Sequence, residues 1–182
     1  MGKLRRWLVV AALVLGAGTL LGAAGGASVL AASSGEGVSM KQSSGNYTVQ
    51  LNIGPVQAML TPDQAKTAKS GEVVADMPQA TVDSINDSRL PVNHHLEVQI
   101  LNTKSGEPAS DVTPVVTLRN DATGLSYTLD GLMSMYDVSA GPKDTHFGKN
   151  VYLPASSYTV TVAFGHTRTV FEGVNIAAGA GS

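Results

Sequence analysis

Apolar and polar residues alternate with a period of two through much of the chain, and that alternation predicts strands half-buried on one face. Tyr47, Val49, Leu51 and Ile53 alternate with Thr48, Gln50 and Asn52 until Gly54-Pro55 ends the run. His94, Leu96, Val98 and Ile100 share one face of a second run, His95, Glu97 and Gln99 share the other, and Lys104-Ser105-Gly106-Glu107-Pro108 supplies the turn after it. Further strand-like runs cover residues 113–119, 126–129, 151–153, 158–164 and 169–176, separated by Asn120-Asp121, Gly131, Pro154-Ala155-Ser156 and Gly165. About seven short strands spaced by turn signals predict an all-β fold, an immunoglobulin-like antiparallel β-sandwich. Residues 55–92 read as a connection. Within it, Thr61-Pro62-Asp63-Gln64 has an N-cap followed by proline at the first helical position, which predicts one short helix before Gly71. No chemical motif is readable in that stretch.

The ends of the chain follow different rules. Lys3, Arg5 and Arg6 precede an apolar run from Trp7 to Ala32 that contains no charged residue, the pattern of an export signal. Small residues around Ala31 suit a cleavage site before Ala32-Ser33-Ser34, and the same run is long enough to stay in a bilayer as an N-terminal anchor. Residues 1–32 are therefore expected to be a signal peptide or membrane anchor, and the rest of the chain to work outside the cytoplasm, periplasmic or at the cell surface. Residues 33–46 are rich in Ser and Gly without periodicity and read as a flexible tether. The sandwich is expected over 47–176, with 177–182 as a disordered tail.

Composition narrows the function. The 182 residues carry 12 Lys and Arg against 14 Asp and Glu, so there is no basic stripe for a phosphate backbone and nucleic acid is not an expected partner. Removing residues 1–31 takes away three basic residues and no acidic one, which leaves the exported part at −5 and better suited to a cation than an anion. The chain has no cysteine, which excludes a thiol nucleophile and a disulfide staple. There is no Gly-x-Ser-x-Gly elbow, no His-Glu-x-x-His helix and no phosphate-binding glycine loop, so an enzyme is not expected.

What remains is a short set of metal-ligating side chains. Imidazole and thioether are borderline or soft ligands that suit copper, and a carboxylate accommodates iron as well. His95 and Glu97 lie on one strand face about 6–7 Å apart, close enough to share a site. Met133-Ser134-Met135, His146 in the long loop before Val151, and His166 after the strand ending at Phe164 are the other candidates. Each has a plainer reading. Met133 and Met135 fit gap-filling core positions, His166 fits an exposed loop, and Glu97 fits a charge that orients an imidazole without touching metal.

These segments together resemble a known family. His95-Leu96-Glu97-Val98-Gln99-Ile100, Met133-Ser134-Met135, and 144–154 with its His146-Phe147-Gly148-Lys149-Asn150 core running into 158–162 resemble the periplasmic iron-transport proteins. That family comprises immunoglobulin-like, usually dimeric, copper-binding accessories of bacterial ferrous-iron uptake. The resemblance implies that His95, Met135 and His146 ligate copper, that Glu97 helps bind a second metal form, and that His166 supplies the remaining histidine. It also implies a homodimer and an inner-membrane iron permease as partner. The resulting expectation is an extracytoplasmic protein that binds copper, or iron, at a Met/His site and assists iron uptake. A surface-tethered immunoglobulin-like adhesion module without metal is the alternative, and it expects His95, His146 and Met135 to lie apart.

Overall fold

The structure is a computed structural model that describes residues 37–109 and 111–177. The export segment expected over 1–32, the first part of the tether and most of the expected tail lie outside those residues. Among the described residues, no helix is long and apolar enough to cross a membrane. The expected membrane association thus finds no support in the described fold.

Eleven strands, β1 (Val38–Ser44), β2 (Tyr47–Gly54), β3 (Met59–Leu60), β4 (Glu72–Val73), β5 (His94–Asn102), β6 (Val115–Asn120), β7 (Ser126–Leu129), β8 (Met133–Asp137), β9 (His146–Val151), β10 (Ser156–Phe164) and β11 (Thr167–Ile176), form two open sheets. One has seven strands in the order β1-β2-β5-β9-β8-β4-β3, the other four in the order β11-β10-β6-β7. Two helices, α1 (Pro62–Ala65) and α2 (Gln79–Asn86), interrupt the strands in the first half of the chain. The expected immunoglobulin-like, all-antiparallel sandwich is corrected to a mixed α/β fold. Strands β3 and β4 pair in parallel, and helical segments belong to the packed domain. The error came from 55–92, which looked like a connection and instead extends the larger sheet and covers part of it.

Side-chain alternation explains the main core. In β5, Leu96, Val98 and Ile100 are buried, and their register partners on β2 are Ile53, Leu51 and Val49. These join Val116, Leu118, Val160, Val162 and Phe171 of the smaller sheet in one cluster of buried side chains. One extra residue on β11 at Gly173, φ 66, lets Phe171 and Val174 both face that core although they are three residues apart. Truncating a fully buried residue such as Leu96 to alanine is a change that typically costs about 2–5 kcal/mol.

The chain enters the larger sheet at Val38, within the stretch read as a tether. Strand β1 pairs along its whole length with β2 through the two-residue turn Gly45-Asn46, where Gly45 has the positive φ of 61 that tight hairpins favour. Of its residues only Met40 is buried, so its apolar signal is faint.

The segment between β2 and β5 is ordered by local polar contacts. Thr61 caps α1, accepting from the Gln64 amide while its own N–H donates to Gln64 Oε1 at 2.8 Å. The Thr61 hydroxyl donates to Gln79 Oε1 at 2.9 Å, tying α1 to the start of α2. From the last turn of α2, the Asn86 amide clamps the backbone of Met59: its Oδ1 accepts the Met59 N–H at 2.9 Å and its Nδ2 donates to the Met59 carbonyl at 2.7 Å. Helix α2 packs Val82 and Ile85 over Met59, Val74 and Met135, a second and smaller apolar cluster.

Replacing Asn86 by alanine leaves both polar groups of the buried Met59 backbone unpartnered. The expected loss is about 1–3 kcal/mol of stability in urea unfolding, with faster amide exchange at Met59 as the local signature. Unchanged stability and exchange would show that α2 does not depend on this clamp.

Candidate metal centre

The face of β5 opposite the main core carries His95 and Glu97. Register extends that face across the sheet: Glu97 opposes Gly148, His95 opposes Asn150, and on the far side of β9 Met135 opposes His146. Glu72 joins it from β4, which pairs with β8 through Glu72 and Asp137. Ligand-capable atoms of Glu72, His95, Glu97 and His146 all lie within 4.8 Å of one another, a cluster that can coordinate a metal ion. The side chains of His95, His146 and Glu72 are 1%, 2% and 2% exposed, whereas that of Glu97 is 25% exposed and meets solvent.

Both imidazoles are oriented from behind. The Asn150 amide is pinned by Gln57, donating from Nδ2 to its carbonyl at 2.7 Å and accepting its N–H on Oδ1 at 3.1 Å. The same Oδ1 lies 3.0 Å from His95 Nδ1, and an amide oxygen can only accept, so Nδ1 carries the proton and Nε2 of the neutral ring presents a lone pair. His146 Nδ1 donates in the same manner to the Asp144 carbonyl at 2.8 Å. The result is three buried atoms, His95 Nε2, His146 Nε2 and Glu72 Oε2, gathered in one cluster with no hydrogen-bond partner outside it. Unpartnered buried polar atoms are costly, and a cation satisfies all three together.

Gly148 makes room for this geometry. A Cβ there would stand 2.9 Å from His95 Nε2 and 3.0 Å from the Leu96 carbonyl, so only glycine lets the ring lie across β9. Glu97 is held by a polar chain across three strands: Asn52 Nδ2 donates to its Oε2 at 3.2 Å, and Ser39 Oγ donates to Asn52 Oδ1 at 2.8 Å. Its other oxygen, Oε1, lies 3.9 Å from His95 Nε2.

The histidines have opposite electrostatic settings. Burial holds His95 below the usual imidazole range, outweighing Asn150 and the charges of Glu97 and Glu72, with the charge of His146 acting in the same direction as burial. Burial alone would also lower His146, but Glu72 at 3.3 Å, the charge of Glu97 and the Asp144 carbonyl together push it up to about 9. Without metal at neutral pH the site therefore holds one neutral and one protonated imidazole.

Of the residues expected from the sequence, the fold brings His95, Glu97 and His146 together, with Met135 at the register position beside His146. His146 is not in a loop, as expected, but opens strand β9. His166 is not brought to the cluster. It lies exposed at the turn between β10 and β11, in the smaller sheet. The adhesion-module reading expected His95, His146 and Met135 apart, and the fold gathers them. Glu72 was missed. Its one signal is a lone carboxylate against apolar neighbours in Gly71-Glu72-Val73-Val74. Gly148 and Asn150 stood in the quoted motif without a role.

Two outcomes follow from this geometry. Gly148→Ala should destabilise the fold by about 1–3 kcal/mol through overpacking against His95 and the Leu96 carbonyl. It should also weaken divalent-metal affinity by about 10–100-fold, measured by calorimetry. In the metal-free protein, a raised His146 pKa contributes stability that is full below about 6.5, the unfolded value, and lost as pH rises through about 9. The depressed His95 pKa contributes stability that is present above about 6.5 and lost as pH falls through the folded-state value. Thermal unfolding between pH 7 and 10 should thus lose stability in the wild type, and His146→Gln should flatten that alkaline decline. Equal slopes in the two proteins would rule out a proton held between His146 and the carboxylates.

Comparison of the chain with protein-family models, with curated proteins and with solved structures gave no match. The resemblance to the periplasmic iron-transport proteins is corrected accordingly, because neither the fold nor the comparisons support that family. The iron permease and the homodimer rested on that resemblance alone and have no other support.

Proposed function

We propose that this chain is an extracytoplasmic metal-binding protein that holds copper or iron through His95, His146, Glu72 and Glu97, with the Met135 thioether as an additional ligand. The observation that carries this reading is the convergence of three buried atoms, His95 Nε2, His146 Nε2 and Glu72 Oε2, none of which has a partner outside the cluster. Two imidazoles and two carboxylates form a borderline donor set, and first-row divalent ions such as Cu2+ and Fe2+ suit it better than Ca2+ or Mg2+. Two carboxylate charges balance a divalent ion in a largely buried site, provided His146 gives up its proton. The role is binding rather than turnover. The basic and apolar start of the chain supports an extracytoplasmic setting.

Calorimetric titration of the full chain with Cu2+, and with Fe2+ under anaerobic conditions, tests this. One saturable site per chain is expected, lost in the His95→Ala, His146→Ala double variant and weakened by about 10–100-fold in Glu72→Gln. At pH 7 binding should release close to one proton, because His146 must be neutral to ligate, and at pH 10 it should release almost none. Absence of saturable binding by folded wild-type protein would overturn the proposal.

A further inference from the structure

Four methionines are gathered beside the His/Glu centre. Of the five methionines among the described residues, Met40 lies in the main core, whose other buried members are Val, Leu, Ile, Tyr and Phe. The remaining four belong to the small cluster under α2: Met59 and Met135 are buried in it, and Met77 and Met133 pack against it while partly exposed. Val74, Val82 and Ile85 fill the same space with ordinary aliphatic side chains. Methionine fills irregular gaps in such clusters, and its thioether also adds a soft ligand that leucine and isoleucine lack.

Met133 and Met135 are two residues apart on β8 and share a face, and their register partners on β9 are Gly148 and His146. Met59 pairs in register with Glu72, and Met77 approaches from the segment just before α2. Methionine side chains from three separate segments thus join one cluster, partly exposed at Met77 and Met133, with Met135 and Met59 in register with His146 and Glu72. A thioether is a soft, uncharged ligand that selects Cu+ over harder ions. An apolar setting favours a singly charged ion over a doubly charged one, because desolvation grows steeply with charge.

We infer that Met59, Met77, Met133 and Met135 form a second metal site, a thioether site for the soft monovalent cation Cu+, which meets the His/Glu centre at Met135 and fills without that centre's histidines. Ag+ is the probe, as a monovalent ion of the same softness that does not change oxidation state. The full-length chain labelled with 13C at the methionine methyls is titrated with Ag+ and followed by NMR. Saturable shifts of all four methyls at one equivalent are expected, with Met40 unmoved. The Met77→Leu, Met133→Leu double variant keeps the side-chain volume and should weaken Ag+ binding at least tenfold while leaving Cu2+ stoichiometry unchanged. In the His95→Ala, His146→Ala variant the Ag+ shifts at Met77 and Met133 should persist, which separates this site from the His/Glu centre even if that centre binds no divalent ion. Movement of the Met135 methyl alone, or wild-type Ag+ affinity in the leucine variant, would overturn the inference.

Discussion

Strand β5 carries two surfaces that cannot be exchanged, and its register between β2 and β9 keeps them apart. One face sends Leu96, Val98 and Ile100 into the main core, and the other presents His95 and Glu97 to the metal centre. A slip of one residue would turn the imidazole into hydrocarbon and the leucine into the polar cluster, so both the core and the site enforce the same pairing. The β9 part of the centre takes its position from this strand. Gly148 and Asn150 stand opposite Glu97 and His95, and His146 follows two residues earlier on β9.

The centre is polar chemistry set on the face of the larger sheet that points away from the main core, and it is made tolerable by neighbours that do not themselves face the cluster's interior. Asn150 and the Asp144 carbonyl each use up one ring nitrogen, which leaves the other nitrogen directed inward. Glu72 arrives from β4, a strand that exists because the parallel β3–β4 pair extends the sheet beyond β8. Helix α2 then covers the apolar part of the same face. Segment 55–92 therefore contributes a candidate ligand and a lid as well as a connection.

The strands that alternate cleanly were legible in the sequence: β2, β5, β6, β7, β10 and β11 all follow the apolar period of two or lie within turn-bounded runs. The cap at Thr61 was legible as well, because its polar and proline signals are local. Strands β8 and β9 were not, for a physical reason. On β9 the face opposite the core is His146, Gly148 and Asn150, buried at the first two and half-buried at the third, and its residues are not apolar side chains, so burial there leaves no apolar trace. Strands β3 and β4 are two residues each, too short for any period to register. In the site, the pair His95 and Glu97 could be read from strand spacing alone. Their meeting with Glu72 depends on strand order, which no local pattern encodes, and His166 shows the converse, a histidine of the right chemistry carried to the other sheet.

The Asn86 clamp does more than hold a helix in place. Strand β3 is the last of its sheet, and a terminal strand offers unpaired backbone groups to any passing chain. Here a side-chain amide from α2 occupies the position that an additional strand would take, so one helix both roofs the apolar patch and blocks pairing at this end of the sheet. Lifting α2 would uncover a sticky surface and a pairing edge in a single movement. The protection of this one edge is thus tied to the same small element that covers Met59 and Met135.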